Sequence, residues 1–179
     1  MKIRRFPGME WIEHVSSEAK VAFLLTLTEK IMHKIENYKW YGLARRTMDM
    51  CWEWLEEKNH SGDELYLKID NDVDGLAHIK GVAFVDDQPD PQEKALWFCV
   101  TQAAFYVTWQ AYEYEEEEYV PQAIEMTDDE VIDWFMEKIM KVDGYQEEWA
   151  ERLREYLLKN HPAGSDKKIK REELLNLIA

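Results

Sequence analysis

Glycine and proline are scarce in this chain of 179 residues, with 7 and 5 copies. A turn-rich β protein needs many of both, so the sequence argues against that class. The two cysteines, Cys51 and Cys99, are too few for a secreted disulfide framework. The chain also lacks an apolar run of about 18 residues, so we expect no membrane-spanning helix.

The start of the chain lacks the pattern of a signal peptide. Residues 1–11 carry positive charge, but no apolar run follows them, and a signal peptide needs both. Both cysteines fall within apolar helical patterns, where a free thiol acts as a small hydrophobe. Together these features predict a cytoplasmic protein.

Basic residues are almost missing from one segment of the chain. Residues 86–137 contain 15 acidic residues and one basic residue, Lys94, which is a net charge of -14. The whole chain has a net charge of -15, so the remainder is nearly balanced. Such an acidic chain lacks the cations that neutralise phosphates, so we expect no direct binding to nucleic acid. The concentration of charge in one segment indicates a local function.

Helical periodicity, by contrast, is abundant. Apolar residues recur every three or four positions over about residues 17–35, 41–58 and 146–159, which places them on one helix face. A further stripe predicts a long helix from Asp90 to about Glu118. These patterns predict an all-α protein, a single-domain bundle of about six to seven helices.

Helix-start signals support these assignments. Three pairs have the spacing of capping boxes: Ser61 with Glu64, Asp90 with Glu93, and Thr127 with Glu130. Asp90 precedes a proline and, three residues further on, a glutamate, which is typical of a helix start. In the helix predicted after Thr127, the apolar pattern of Val131, Trp134, Phe135 and Ile139 places Trp134 on the inner face.

The chain divides most readily near its end. Residues 162–165 form the one plausible hinge, so we assign residues 1–162 to a helical domain and residues 163–179 to a basic C-terminal helical tail. Before that hinge the least regular part is residues 70–90. Within it, residues 79–85 form a short apolar segment that fits either an extended or a helical conformation.

One acidic loop has the beginning of a calcium-binding pattern. Asp70, Asp72 and Asp74 occupy positions one, three and five of a helical-hairpin loop, and Gly75 occupies position six. Position twelve, which needs a bidentate glutamate, is Gly81. We therefore interpret the loop as an Asp-rich turn that ends a helix, keep the three aspartates as weak metal candidates, and expect no cofactor.

Catalytic motifs are missing from the sequence. Glu57 and His60 have the spacing of one carboxylate–imidazole pair of a di-metal bundle, but a second pair is lacking. No nucleophile elbow, phosphate loop, dinucleotide fingerprint or zinc-protease motif occurs. We assign no catalytic residue and expect the protein not to be an enzyme.

Aromatic and acidic residues interleave at the predicted end of the long helix. Like charges spaced along one helix face repel by about 0.2–0.5 kcal/mol per pair, and the negative end of the helix dipole adds to that cost. A solvated face that aids solubility is one interpretation. Because the placement opposes local stability and aromatic residues often anchor interfaces, the other is a surface that binds a basic partner. The predicted contact residues are Trp109, Tyr112, Glu113, Glu116, Glu117, Tyr119, Asp128 and Asp129.

Three segments also resemble a known family. They are FLLTLTEKI (residues 23–31), RRTMDMCWEWL (residues 45–55) and LWFCVTQAAFYVTWQAY (residues 96–112). Together they resemble the all-helical immunity proteins of bacterial polymorphic-toxin systems, usually numbered as the sixth immunity family, and a related enterobacterial family of unknown function. The resemblance covers about residues 17–135. It implies a cytoplasmic protein that binds and neutralises a cognate toxin, and it brings no catalytic residues.

Three functions follow as hypotheses. The first is a stoichiometric inhibitor of a basic toxin, such as a nuclease or a deaminase, whose substrate cleft the acidic segment would cover. The second is a helical ligand- or metal-binding domain, or an enzyme, with a pocket between helices and a metal at residues 70–74. The third is a DNA mimic that inhibits a host enzyme. Converging carboxylates in a deep pocket favour the second, and a flat acidic surface favours the first.

Overall fold

A computed structural model of the chain describes residues 8–78 and 90–179. The prediction of an all-α protein is confirmed, because 70% of the chain is helical and the described part contains no strand. Two short 3-10 helices, Glu10–His14 and His33–Ile35, precede and follow the first α-helix. The apolar segment at residues 79–85, which fits either an extended or a helical conformation, lies outside the described residues, as do residues 1–7.

The α-helices of the described part follow in chain order. They are α1 (Ser17–Met32), α2 (Tyr41–Glu57), α3 (Gly62–Ile69), α4 (Pro91–Glu115), α5 (Gln122–Glu125), α6 (Glu130–Ile139), α7 (Glu147–Asn160) and α8 (Arg171–Leu177). None of them combines the length and the apolar character that a bilayer crossing needs. The short helix α5 was not anticipated from the sequence.

Helix α1 lies at the centre of the bundle. Residues 21–28 are all fully buried, so neighbouring helices cover this stretch on every side. Its two interior threonines, Thr26 and Thr28, donate hydrogen bonds to the carbonyls of Ala22 and Leu24, four residues earlier. Their hydroxyls therefore enter the core without the cost of an unpaired donor.

Helix α4 packs against α1, α2, α3 and α6 and thereby joins both halves of the bundle. It begins as predicted, because the Asp90 side chain accepts a hydrogen bond from the N–H of Gln92. It ends at Glu115 and not near Glu118. Glu116 adopts a left-handed conformation with φ of 54°, and the N–H of Glu117 bonds to the carbonyl of Tyr112. This is a Schellman motif with glutamate where glycine is usual.

The three predicted capping boxes have different outcomes. The Asp90 side chain accepts from the N–H of Gln92, and not from the N–H of Glu93 that a capping box uses. Ser61 and Glu64 form both reciprocal bonds, so that box is confirmed. The box at Thr127 is wrong: the Thr127 hydroxyl donates to the carbonyl of Ala123, and the N–H of Glu130 donates to Asp128 Oδ1. Thr127 thus closes the short helix α5, which the prediction had not included.

The C-terminal segment packs against the same core. Ile169, Leu174 and Ile178 are buried in one hydrophobic cluster with α1, and α8 packs on α1 and α7. The backbone N–H of Ser16 bonds to the carbonyl of His161. A β-bridge pairs Val15 with Pro162. Residues 14–16, which precede α1, are therefore joined to residues 161–163, which follow α7.

Candidate functional site

The end of α4 is joined to the start of α3. The phenol of Tyr112 donates a 2.6 Å hydrogen bond to Asp63, and the backbone N–H of Gly62 donates a 2.7 Å bond to the Glu115 carboxylate. Burial, followed by the bond to Asp63, raises the pKa of Tyr112. Tyr112 is 2% exposed, so its ring lies beneath the exposed side chains at this end of α4.

Tyr114, two residues further on, lies on the opposite side of this end of the helix. Its exposed ring stacks edge-on with Trp54 at a centroid distance of 6.3 Å. The ammonium of Lys58 lies 4.4 Å from the Trp54 ring and 5.6 Å from the Tyr114 ring. Tyr114 is therefore held in position by cation–π and aromatic contacts.

Two more of the predicted contact residues are engaged inside the protein. Trp109 is half-buried and packs edge-on against Tyr106 at 5.4 Å. Asp129 accepts a 2.8 Å bond from the Tyr106 phenol and pairs with Lys20 Nζ at 2.9 Å. Since Lys20 offsets its charge, Asp129 adds little to the field outside the protein.

The other predicted contact residues lie in water. The exposed acidic side chains at the end of α4 and after it belong to a stretch of sequence, between Lys94 and Lys138, that contains no basic residue. The set that we call the acidic surface consists of Glu113, Glu116, Glu117, Glu118, Tyr119, Glu125 and Asp128, all exposed.

The acidic surface includes a connection whose backbone is well hydrogen-bonded. Ile124 is fully buried and fixes α5 against α4. The N–H groups of Ile124 and Glu125 bond to the carbonyl of Pro121, and that of Met126 bonds to Gln122. The exposed side chains are thus presented by a folded segment.

The exposure of two large apolar side chains was not predicted from the sequence. Met126, which ends α5, is 76% exposed, and Trp134 on α6 is 48% exposed. The prediction that Trp134 lies on the inner face is wrong. The buried apolar residues of α6 recur at 131, 132, 135, 136 and 139, and this spacing leaves position 134 on the outer side. The exposure of Trp134 can be recognised from the sequence when all apolar positions of this helix are compared with the helical period.

The loop that resembles half of a calcium site is organised by its own side chains. Tyr66 donates a 2.7 Å hydrogen bond to Asp70, which raises the pKa of Tyr66 to about 12. The Asn71 side-chain oxygen accepts bonds from the N–H groups of Val73 and Asp74. In the described part of the chain, no group of three or more His, Cys, Asp or Glu residues is arranged to hold a metal ion.

Two of the clefts on the described surface contain basic side chains in their lining. One cleft of about 880 Å³ is lined by α8 residues of both charges together with Glu56. A second, of about 370 Å³, lies between the start of α4 and the end of α6 and is lined by Lys94, Lys138 and Lys141 around Phe98. Neither cleft includes a residue of the acidic surface.

These observations define a helical bundle with an acidic, partly apolar surface at the end of its longest described helix. Residues 19–142 match the family described as Immunity protein Imm6. Because the match covers more than half of the chain, the protein belongs to this family of immunity proteins, and the predicted resemblance to the sixth immunity family is confirmed. A cognate toxin is the partner that membership implies. No curated protein and no solved structure matches the chain.

Proposed function

We propose that this immunity protein neutralises its toxin by binding it through the acidic surface, as a stoichiometric inhibitor and not as an enzyme. The observation that carries the proposal is the exposure of Glu113, Glu116, Glu117 and Asp128 in a segment without a basic residue. Tyr119 supplies apolar contact area beside these charges. Trp109, Tyr112 and Asp129 pack or pair inside the protein and position the exposed residues.

The charge of this surface specifies the chemistry of the partner. Desolvating several glutamates is favourable only when cations replace the lost water, so the contact face of the toxin is expected to be basic. Toxins that act on nucleic acids need basic clefts to hold phosphates. We therefore propose a nuclease or a deaminase as the toxin, with the acidic surface at or beside its cleft.

Electrostatic steering gives this arrangement a functional advantage. Opposite charges raise association rate constants to about 10⁸–10⁹ M⁻¹s⁻¹ at low salt. A fast encounter matters for an inhibitor that must reach the toxin before the toxin damages the cell. We propose that this takes place in the cytoplasm, where the buried, unpaired thiols of Cys51 and Cys99 stay reduced.

The test uses the toxin domain encoded beside the gene of this protein. Wild type should bind it one to one and protect cells that express it. The variant Glu113→Gln/Glu116→Gln/Glu117→Gln should bind at least about tenfold more weakly and protect less, since each removed charge weakens the pairing.

A matched control keeps the change in net charge and moves it elsewhere. Glu148, Glu151 and Glu155 are exposed on α7, and their replacement by glutamine should leave affinity and protection close to wild type. If both triple variants bind equally well, the acidic surface is not the binding site. If wild type does not bind the toxin domain at all, the proposed function itself is wrong.

A further inference from the structure

Large apolar side chains are exposed at both ends of the short helix α5. Tyr119 is 85% exposed and precedes α5, and Met126 is 76% exposed and ends it. Between them, the fully buried Ile124 holds the segment against α4. The connection thus has one residue that fixes it to the core and two large apolar side chains directed to solvent.

The exposed charged residues around these two side chains are all acidic. Glu117 and Glu118 precede Tyr119, Glu125 precedes Met126, and Asp128 follows it, and all four are exposed. Interfaces typically combine a few apolar or aromatic anchors with a polar rim. Tyr119 and Met126 correspond to such anchors, and the acidic residues correspond to a rim that is negatively charged throughout.

We infer that Tyr119 and Met126 are the apolar anchors of the toxin interface, and that they insert into an apolar recess bordered by lysine or arginine on a basic protein surface. This inference rests on the proposed function and deepens it, since it names the shape and chemistry of the partner's face. Tyrosine supplies a large contact area with few rotatable bonds. Methionine adapts its unbranched side chain to an irregular recess.

The two kinds of residue affect binding through different rate constants. Charged residues at the rim act on the encounter, so their loss lowers the association rate constant and its dependence on salt. Apolar anchors act after docking, so their loss raises the dissociation rate constant. Kinetic measurements therefore separate the anchors from the acidic rim.

The experiment measures binding of the neighbouring toxin domain by surface plasmon resonance at several salt concentrations. Tyr119→Ala should raise the dissociation rate constant about 30-fold, as expected for a central interface residue, and Met126→Ala about tenfold. Neither should change the slope of the association rate with salt. Because both side chains are exposed, the variants should keep the melting temperature of wild type.

The chain offers matched controls for both substitutions. Tyr38 is 40% exposed and Met140 is 52% exposed, and both lie outside the acidic surface. Tyr38→Ala and Met140→Ala should leave the dissociation rate constant within about twofold of wild type.

The outcomes separate this inference from the proposed function. If Tyr119→Ala and Met126→Ala behave like their controls while the glutamine triple variant loses affinity, the anchors are wrong and the acidic surface stands. If all variants bind like wild type, the surface is wrong as well. A change confined to the association rate would also contradict the anchor role.

Discussion

The backbone N–H of Gly62 lies 2.7 Å from a carboxylate oxygen of Glu115 and donates to it. The bond joins the last residue of α4 to the first residue of α3. This bond distinguishes Glu115 from the glutamates beside it, because a carboxylate at a helix N-terminus is stabilised by the dipole and by an otherwise unpaired N–H. Adjacent glutamates in one acidic run thus have different roles.

We expect Glu115→Ala to lower the free energy of unfolding by about 0.5–2 kcal/mol, as the loss of a helix-capping bond does. Glu113→Ala, two residues earlier and exposed, should change it by less than about 0.5 kcal/mol. Toxin affinity should show the opposite order. Urea unfolding and a binding assay on both variants check this, and equal losses of stability would refute the assignment.

Gly62 leaves room for the ring of Tyr112, which packs directly against it. A Cβ at this position would lie 2.6 Å from the Tyr112 ring. Gly62→Ala should therefore force the ring or α3 to move and lower stability by about 1–3 kcal/mol. Gly42→Ala in α2 is the control, since its Cβ would meet nothing closer than 3.7 Å and alanine favours a helix by about 1 kcal/mol.

Glu116 combines strain with a charge. Its φ of 54° is unfavourable for a residue with a Cβ, so Glu116→Gly should raise the free energy of unfolding by about 1 kcal/mol. The same change removes a carboxylate from the acidic surface and should weaken toxin binding. Glu116→Gln should weaken binding equally without the gain in stability. A glycine variant that is less stable than wild type would contradict the account.

Arg171 connects the C-terminal helix to the centre of the bundle. Its guanidinium donates to Glu29 at 2.9 Å and to Asp49 at 3.0 Å, and Arg45 pairs with the same two carboxylates. Arg171→Ala leaves Glu29 with fewer partners and should lower stability by about 1–3 kcal/mol. Lys170→Ala, at an exposed position, is the control in thermal unfolding. Equal melting temperatures for the two variants would contradict the role of Arg171.

His161 predicts a dependence of stability on pH. Burial, with a contribution from Lys167, lowers the pKa of its imidazole below the usual 6.5, so the folded state resists protonation. This contribution to stability is complete above pH 6.5 and is lost as pH falls through the lowered pKa. The variant His161→Gln should lose less stability than wild type between pH 7 and pH 4. If the free energies of unfolding of wild type and variant fall equally between pH 7 and pH 4, His161 does not contribute to the pH dependence.

Periodicity was sufficient for the bundle but not for the end of α4. The apolar spacing in α1, α2 and α7 predicts helices whose bounds agree with the structure within one to three residues. The run after Tyr112 reads equally well as helix, since glutamate is a good helix former. The left-handed turn at Glu116 depends on α3, whose N-terminus binds Glu115, and a contact between distant segments leaves no local pattern.

The sequence predicts which segment forms the candidate site, but it does not predict which side chains of that segment are exposed. Trp109, Tyr112 and Asp129 were placed in it by their neighbours in sequence, and the structure shows them engaged by Tyr106, Asp63 and Lys20. These partners come from other helices or other turns. Exposure of Met126 follows from the short helix α5, which Pro121 alone did not reveal.

The association rate constant for the toxin domain, measured between 20 mM and 500 mM salt, tests the central claim most directly. The acidic surface predicts a steep fall with salt for wild type and for the Glu148→Gln/Glu151→Gln/Glu155→Gln control. It predicts a distinctly shallower fall for Glu113→Gln/Glu116→Gln/Glu117→Gln. Identical slopes for the two triple variants would contradict the claim that this surface recognises the toxin.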